Sequence, residues 1–374
     1  MARVERVVTP NIEQARQGIT AEIPLTAEFT YIMRKDTAYA MDPIAEKLAA
    51  QSGVDSIAAR DTLRASYERF FGRLTGALLS AYGSKYEGDI EIHVFEPGGL
   101  EQGIDQIAAG RPIVTLDPLS PGEHGQYHHL QISRSYRVGG QHIIREGARP
   151  GAAHTVEETA TQIAEELHGL PAVLTDDDIF SGGSTKRAYI VLQKAGVNVA
   201  TIAAGIQVGE AAVLQDLPAE LKPAVRYSWG KEGDIFDHAD LGDPRDFLVG
   251  ASGLVVEIPG ADRRGGDRAK GRAPYVLPFV SSSARLGIPQ EREREFSLQV
   301  LQLNLQFFQE VEAQLGHPIL LNQMDPHFAI LMTEYYGLPP ETPMTEVIKW
   351  SVDNFDQIWN KTTVDAAEAY QDLN

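Results

Sequence analysis

One stretch, Ala172 to Thr185, constrains the fold of this chain more than any other. It reads Ala-Val-Leu-Thr-Asp-Asp-Asp-Ile-Phe-Ser-Gly-Gly-Ser-Thr. Pro171 interrupts what precedes it, and Ala172 to Thr175 has the apolar, β-branched character of a short buried strand. Asp176, Asp177 and Asp178 stand at its carboxyl end. Ser181 to Thr185 forms a small-residue loop, and Lys186 to Lys194 continues with helical spacing at Ala188, Ile190, Val191 and Leu192. Strand, acidic end, glycine loop and helix in that order predict an open α/β sheet, in which ligands bind outside the carboxyl ends of the strands.

The residue types narrow the ligand. Gly182 and Gly183 let backbone approach an anion, and the N–H groups at a helix start then cradle it. Ser181, Ser184 and Thr185 add hydroxyl donors. Adjacent carboxylates suit the opposite partner, either sugar hydroxyls or hydrated Mg2+. A ribose 5-phosphate satisfies both halves. Helix capping alone calls for Ser, Thr and Asp, but not for Gly-Gly beside three acids.

In these fourteen residues the chain resembles the type I phosphoribosyltransferases. Their signature is four mostly apolar residues, two acids, a short spacer and a Thr-Gly-Gly-Thr-like loop. Asp176-Asp177 fall on the acid pair and Ser181-Gly182-Gly183-Ser184 on the loop, without a gap. The resemblance implies that Asp176 and Asp177 act in catalysis, hold the ribose hydroxyls of phosphoribosyl pyrophosphate and serve a Mg2+ ion. It implies that the loop from Ser181 through Thr185, with Asp178 beside it, binds the rest of that substrate. Gly98-Gly99 follow the strand-like Asp89–Phe95, where the family places its pyrophosphate loop. Leu130 to Tyr136 resembles the family's flexible loop, with Arg134, Ser135 and Tyr136 as its closing residues. Asp243 to Gly250 resembles a Pro-Asp-x-Phe-Val-Val-Gly segment, which makes Phe247 the expected base-stacking ring.

The base site departs from the hypoxanthine-guanine branch. Phe180 stands where that branch has its general-base aspartate, and its purine-reading lysine falls near Gly205. The acid expected after Asp243–Gly250 falls on Leu254 or Val255. An acceptor other than hypoxanthine or guanine is therefore expected.

The remaining chain supplies flanking structure. Residues 1–30 read as irregular. Pro43 to Tyr82 is expected to be helical, with Leu63, Tyr67, Phe70, Phe71, Leu74 and Leu78 on one face. Ile113–Leu116 and Val197–Val208 read as strands, Val156–Leu167 as a helix capped by Thr155 and Glu158, and residues 118–147 as a long hairpin. Leu217 to Ala224 reads as a breaker-rich connection. Residues 261–272 read as a basic, glycine-rich loop, and Gln290–Leu315 as a helix with too many apolar residues for one stripe, expected to be buried between layers or at a subunit interface. The expected organisation is an N-terminal helical extension over 1–84, a phosphoribosyltransferase-like parallel sheet with flanking helices over 85–260, and the basic loop with C-terminal helices over 261–374.

Composition sets the outer limits. The chain of 374 residues contains no cysteine, which removes disulfides, thiolate metal sites and cysteine nucleophiles. Its formal charge of −19 argues against nucleic acid and anionic membranes as partners. No secretory signal or spanning segment is visible, so a cytoplasmic protein is expected, with small-molecule substrates and a homo-oligomeric state. The leading expectation is Mg2+-dependent transfer of phosphoribosyl from phosphoribosyl pyrophosphate to a nitrogenous base or other acceptor. One alternative is a non-catalytic nucleotide or phosphoribosyl pyrophosphate sensor. A third reading takes Asp176–Asp178 as the Asp-x-Asp of a metal-dependent glycosyltransferase or phosphatase-like site, but it gives the glycine loop no role.

Overall fold

The computed structural model describes residues 3–117, 127–137, 143–258, 270–281 and 287–360. The chain divides into two compact units, each assembled from separate stretches. One comprises residues 1–34, 91–134 and 146–240, the other 35–90, 135–145 and 241–374. The sequence suggested three consecutive regions; instead the first 34 residues join the α/β unit, apart from the helices that follow them.

In chain order the elements are β1 (Glu5–Val8), α1 (Glu13–Arg16), β2 (Ala21–Pro24), β3 (Phe29–Arg34), α2 (Thr37–Ser52), α3 (Ser56–Tyr82), β4 (Ile90–Phe95), α4 (Gly99–Ala108), β5 (Ile113–Thr115), β6 (Tyr127–His129), β7 (Ile132–Arg137) and β8 (Ile143–Ala148). There follow α5 (Val156–Leu167), β9 (Ala172–Ile179), α6 (Gly183–Lys194), β10 (Val199–Val208), β11 (Glu220–Ser228), β12 (Ala239–Gly242), β13 (Leu254–Glu257), β14 (Lys270–Ala273), α7 (Gln290–Leu315), α8 (Pro326–Ile330) and α9 (Met344–Asp353).

The first unit is built on a six-stranded sheet of order β2-β11-β10-β9-β5-β6. All five of its pairings are parallel. One face is covered by α4, whose Ile104 and Ala108 pack with Ile113, Val173 and Ala203. The other is covered by α5 and α6, whose Val156, Ala160, Ile163, Ala188 and Leu192 pack with Val114, Leu174, Ile202 and Ala204. Strand alternation sends Val173 to one layer and Leu174 to the other, which is why β9 is apolar at every early position. The α/β expectation with a mostly parallel sheet and flanking helices holds at this level. The strand order also reverses inside the sheet: β5 leads outward to β6, while β9 leads the other way to β10 and β11. The crevice at such a reversal, beyond the strands' carboxyl ends, is where open α/β sheets receive ligands.

Two stretches differ from their sequence reading. Residues 1–30 contribute β1, β2 and the start of β3. The segment around Pro223 is the parallel strand β11, paired to β10 through Ala204↔Pro223. Its second neighbour, β2, begins pairing only at Val225↔Ala21, so the proline's missing N–H falls outside that ladder.

The second unit packs α2 against α3, α3 against α7 and α7 against α9, and it contains β13 and β14, which pair antiparallel. Phe70 of α3 meets Phe307 of α7 edge to face at 6.2 Å. Buried Asn304 of α7 accepts from the Val249 N–H at 2.6 Å and donates to the Phe247 carbonyl at 3.0 Å. α7 is amphipathic: Phe296, Val300, Leu301, Phe307 and Phe308 are buried, while Gln299, Gln302, Gln306 and Gln309 are exposed, so one apolar face suffices where the sequence suggested more.

Candidate functional site

At the switch between β5 and β9, four carboxylates gather with one guanidinium. β9 runs through to Ile179, so Asp176, Asp177 and Asp178 lie within the strand and not in a turn beyond it. Alternation therefore divides them: Asp176 and Asp178 face the α6 side, Asp177 the α4 side. The hydrogen bonds agree. Thr185, in the first turn of α6, donates its hydroxyl proton to Asp176 Oδ2 at 2.9 Å. Arg34, the last residue of β3, pairs with Asp177 and reaches Asp117 Oδ2 at 3.3 Å. Asp117 follows β5, and the Thr115 hydroxyl beneath it accepts from its N–H at 3.2 Å. The acid pair implied by the resemblance is thus split between two faces of one strand.

The electrostatics follow from this crowding. Burial, reinforced by the Asp178 charge, pushes Asp176 up to about 7. Burial also holds Asp177 well above the usual carboxylate range, against the lowering effect of Arg34 and with Asp117 and Asp178 adding to the rise. Such carboxylates gain from a hydroxyl donor or a cation.

The loop next to them is shaped for backbone contact. Gly182 caps α6 at φ 78°, with no side chain supplying a cap bond. A Cβ there would also stand 2.8 Å from Leu214 Cγ. The first intrahelical bond runs from Lys186 N–H to Gly182 O at 2.9 Å, leaving the N–H groups of Gly183, Ser184 and Thr185 outside the helical ladder. Ser181 and Gly183 are exposed and Ser184 is half-buried, so this helix start is open to an anion.

Other expected residues lie elsewhere. Gly98 does cap α4 at φ 87°, but β4 before it belongs to the four-stranded sheet β1-β4-β3-β12. A Cβ on Gly99 would come within 2.6 Å of Ile12 Cδ1, so packing already explains that glycine. Arg134, Ser135 and Tyr136 are interior residues of β7, not a loop tip. Ser135 and Tyr136 pair in parallel with Val255 and Val256, both are buried, and the Ser135 hydroxyl donates to Glu257 at 3.3 Å. Residues 118–126 and 138–142 of the expected hairpin, and most of the basic loop, lie outside the described residues. Phe247 belongs to the second unit and is a core ring. It has 0% exposure and edge-to-face contacts with Tyr275 and Phe296 at 6.1 Å each, which leaves no face for a base.

Asp117 carried the same signal as Asp176, an acid closing an apolar run. Arg34 carried none, because its partners are remote in sequence. Compared with known proteins, the chain matches no family model, and no curated protein or solved structure matches it.

Proposed function

We propose that the first unit binds phosphoribosyl pyrophosphate at the β5–β9 switch and transfers its phosphoribosyl group to an acceptor, on a type I phosphoribosyltransferase-like sheet. The observation that carries this reading is the convergence, at one strand reversal, of an open glycine-capped helix start with a carboxylate that its own first turn already bonds. The Gly183–Thr185 N–H groups and the Ser181 and Ser184 hydroxyls suit a 5-phosphate, and the Asp176 carboxylate suits the ribose hydroxyls.

The donor set also fits Mg2+. Among the described residues no three His, Asp or Glu side chains form a metal cage. Mg2+ in phosphate enzymes instead uses one or two carboxylates and completes its shell with substrate phosphates and water. Asp176 and Asp178, on one strand face, are the carboxylates for that role, in place of the Asp176–Asp177 pair. When bound, the ion would neutralise charge on the diphosphate. In the transfer itself, the bond from the anomeric carbon to the diphosphate oxygen breaks and a bond to an acceptor nitrogen forms, whose proton is lost to solvent. Fixing the sugar by its hydroxyls and 5-phosphate is this chain's part in that step. Pyrophosphate release from labelled phosphoribosyl pyrophosphate, with Mg2+ and a panel of bases, tests the transfer. Tight binding with no turnover on any base would favour the sensor reading.

A further inference from the structure

Three consecutive strands of the six-stranded sheet, β9, β10 and β11, end in segments that bring partly exposed apolar side chains together. Phe180 directly follows β9 and precedes the glycine loop. Val213, after β10, is 38% exposed, and its Cγ2 lies 3.2 Å from where a Gly182 Cβ would be. Phe236, after β11, is 42% exposed and stacks on Phe180 with ring centroids 5.2 Å apart and planes inclined by 23°.

The segment bearing Phe236 is held in place. Asp234 accepts from the Phe236 N–H at 3.1 Å. Gly209, which ends β10 at φ 76°, makes room for it: a Cβ there would stand 2.9 Å from Ile235 Cγ2 and 3.7 Å from Phe236 Cζ. Three separate loops thus place an apolar, aromatic edge against the loop that caps α6. Burial elsewhere would have been the ordinary fate of such rings.

We propose that Phe180, Val213 and Phe236 form the acceptor shelf of the site, with Phe236 as the stacking ring for a planar nitrogen heterocycle. Its position beside the sugar rests on the phosphoribosyl reading. The surroundings choose the charge of the occupant. Asp178 precedes Phe180, Glu210 follows β10, and Asp234 and Asp237 flank Phe236, while Lys231 is drawn over the Trp229 ring at 4.8 Å. A neutral or cationic ring is favoured there, and a carboxylate-bearing ring is repelled. The shelf therefore sets specificity through its acidic rim as well as through stacking.

Saturation-transfer NMR on the full chain tests this with adenine and cytosine as neutral probes and orotate and nicotinate as anionic ones, each with phosphoribosyl pyrophosphate and Mg2+ present. At least one neutral probe should receive saturation, the anionic probes should not, and Phe236→Ala should reduce the neutral signal at least fivefold. Phe236 is exposed, so this variant keeps its fold, which circular dichroism verifies. Equal signals from wild type and variant, no signal from either neutral probe, or a preference for the anionic probes would each overturn the shelf. Calorimetry with phosphoribosyl pyrophosphate on both proteins separates the two claims. Unchanged sugar-phosphate binding with lost base binding supports the shelf, while lost base binding in a protein that never binds phosphoribosyl pyrophosphate keeps the shelf and removes the phosphoribosyl reading.

Discussion

Arg34 carries the largest electrostatic responsibility of any single side chain at the site. It is 8% exposed and bridges Asp117 and Asp177, which sit 83 and 143 positions away in sequence. Removing one member of a buried ion pair leaves an uncompensated charge, at a cost of about 3–5 kcal/mol. Arg34→Ala should therefore lose stability of that order by urea denaturation, and adding Asp117→Asn should recover part of it. A loss below about 1 kcal/mol, the range of exposed pairs, would show that Arg34 does not clamp the acids. At this scale the sequence was half legible. Acids, glycines and hydroxyls announce themselves by type and spacing, whereas an ion-pair partner brought in by a distant strand leaves no local trace. Phe247 shows the opposite failure, since a ring in a suggestive local motif was claimed by the core of another unit.

Elements with strong local signals were read well. α5 has its expected capping box, and α7 its expected bounds. β7 and β8 are neighbours in one sheet, as the hairpin reading of that region expects. β11 was hidden by Pro223, and what the local pattern of β7 did not show was its pairing with distant β13, which holds Ser135 and Tyr136. That pairing reverses the expectation for the presumed flexible loop. Ser135 and Tyr136 should exchange their amide hydrogens slowly with and without ligand; fast exchange in the free protein would return them to a mobile loop. The switch strands themselves are tightly fitted. A Cβ on Gly205 of β10 would stand 2.6 Å from the Asp177 carbonyl oxygen and 3.7 Å from Leu100 Cβ. Gly205→Val should therefore cost about 1–3 kcal/mol, as overpacked interiors do, and weaken ligand binding by displacing β9. A variant as stable as the parent would show that β9 and β10 have slack.

Across the whole molecule, the second unit carries a buried polar centre of its own. Asp36 accepts from the Tyr67 hydroxyl at 2.7 Å and pairs with Arg245 at 2.9 Å, and Arg245 also pairs with Asp243 at 2.7 Å. Burial pushes Asp36 up to about 6, opposed by Arg245 and Tyr67 and reinforced by Asp243 and Asp246. Unfolded, the same group titrates near its ordinary ~3.9. The fold therefore favours the protonated acid, and this contribution is full below pH ~4 and lost as pH rises to about 6. The stability difference between Asp36→Asn and wild type should shift in favour of the variant between pH 4 and 7; a difference independent of pH would place the Asp36 titration outside that window. The central claim belongs to the first unit and is tested most directly by one titration: phosphoribosyl pyrophosphate with Mg2+, by calorimetry, into wild type and a folded Asp176→Asn, Asp178→Asn double variant. A phosphoribosyl site predicts saturable binding by wild type and at least tenfold weaker binding by the variant. Equal affinity in the two, or no binding by wild type at millimolar ligand, would contradict it.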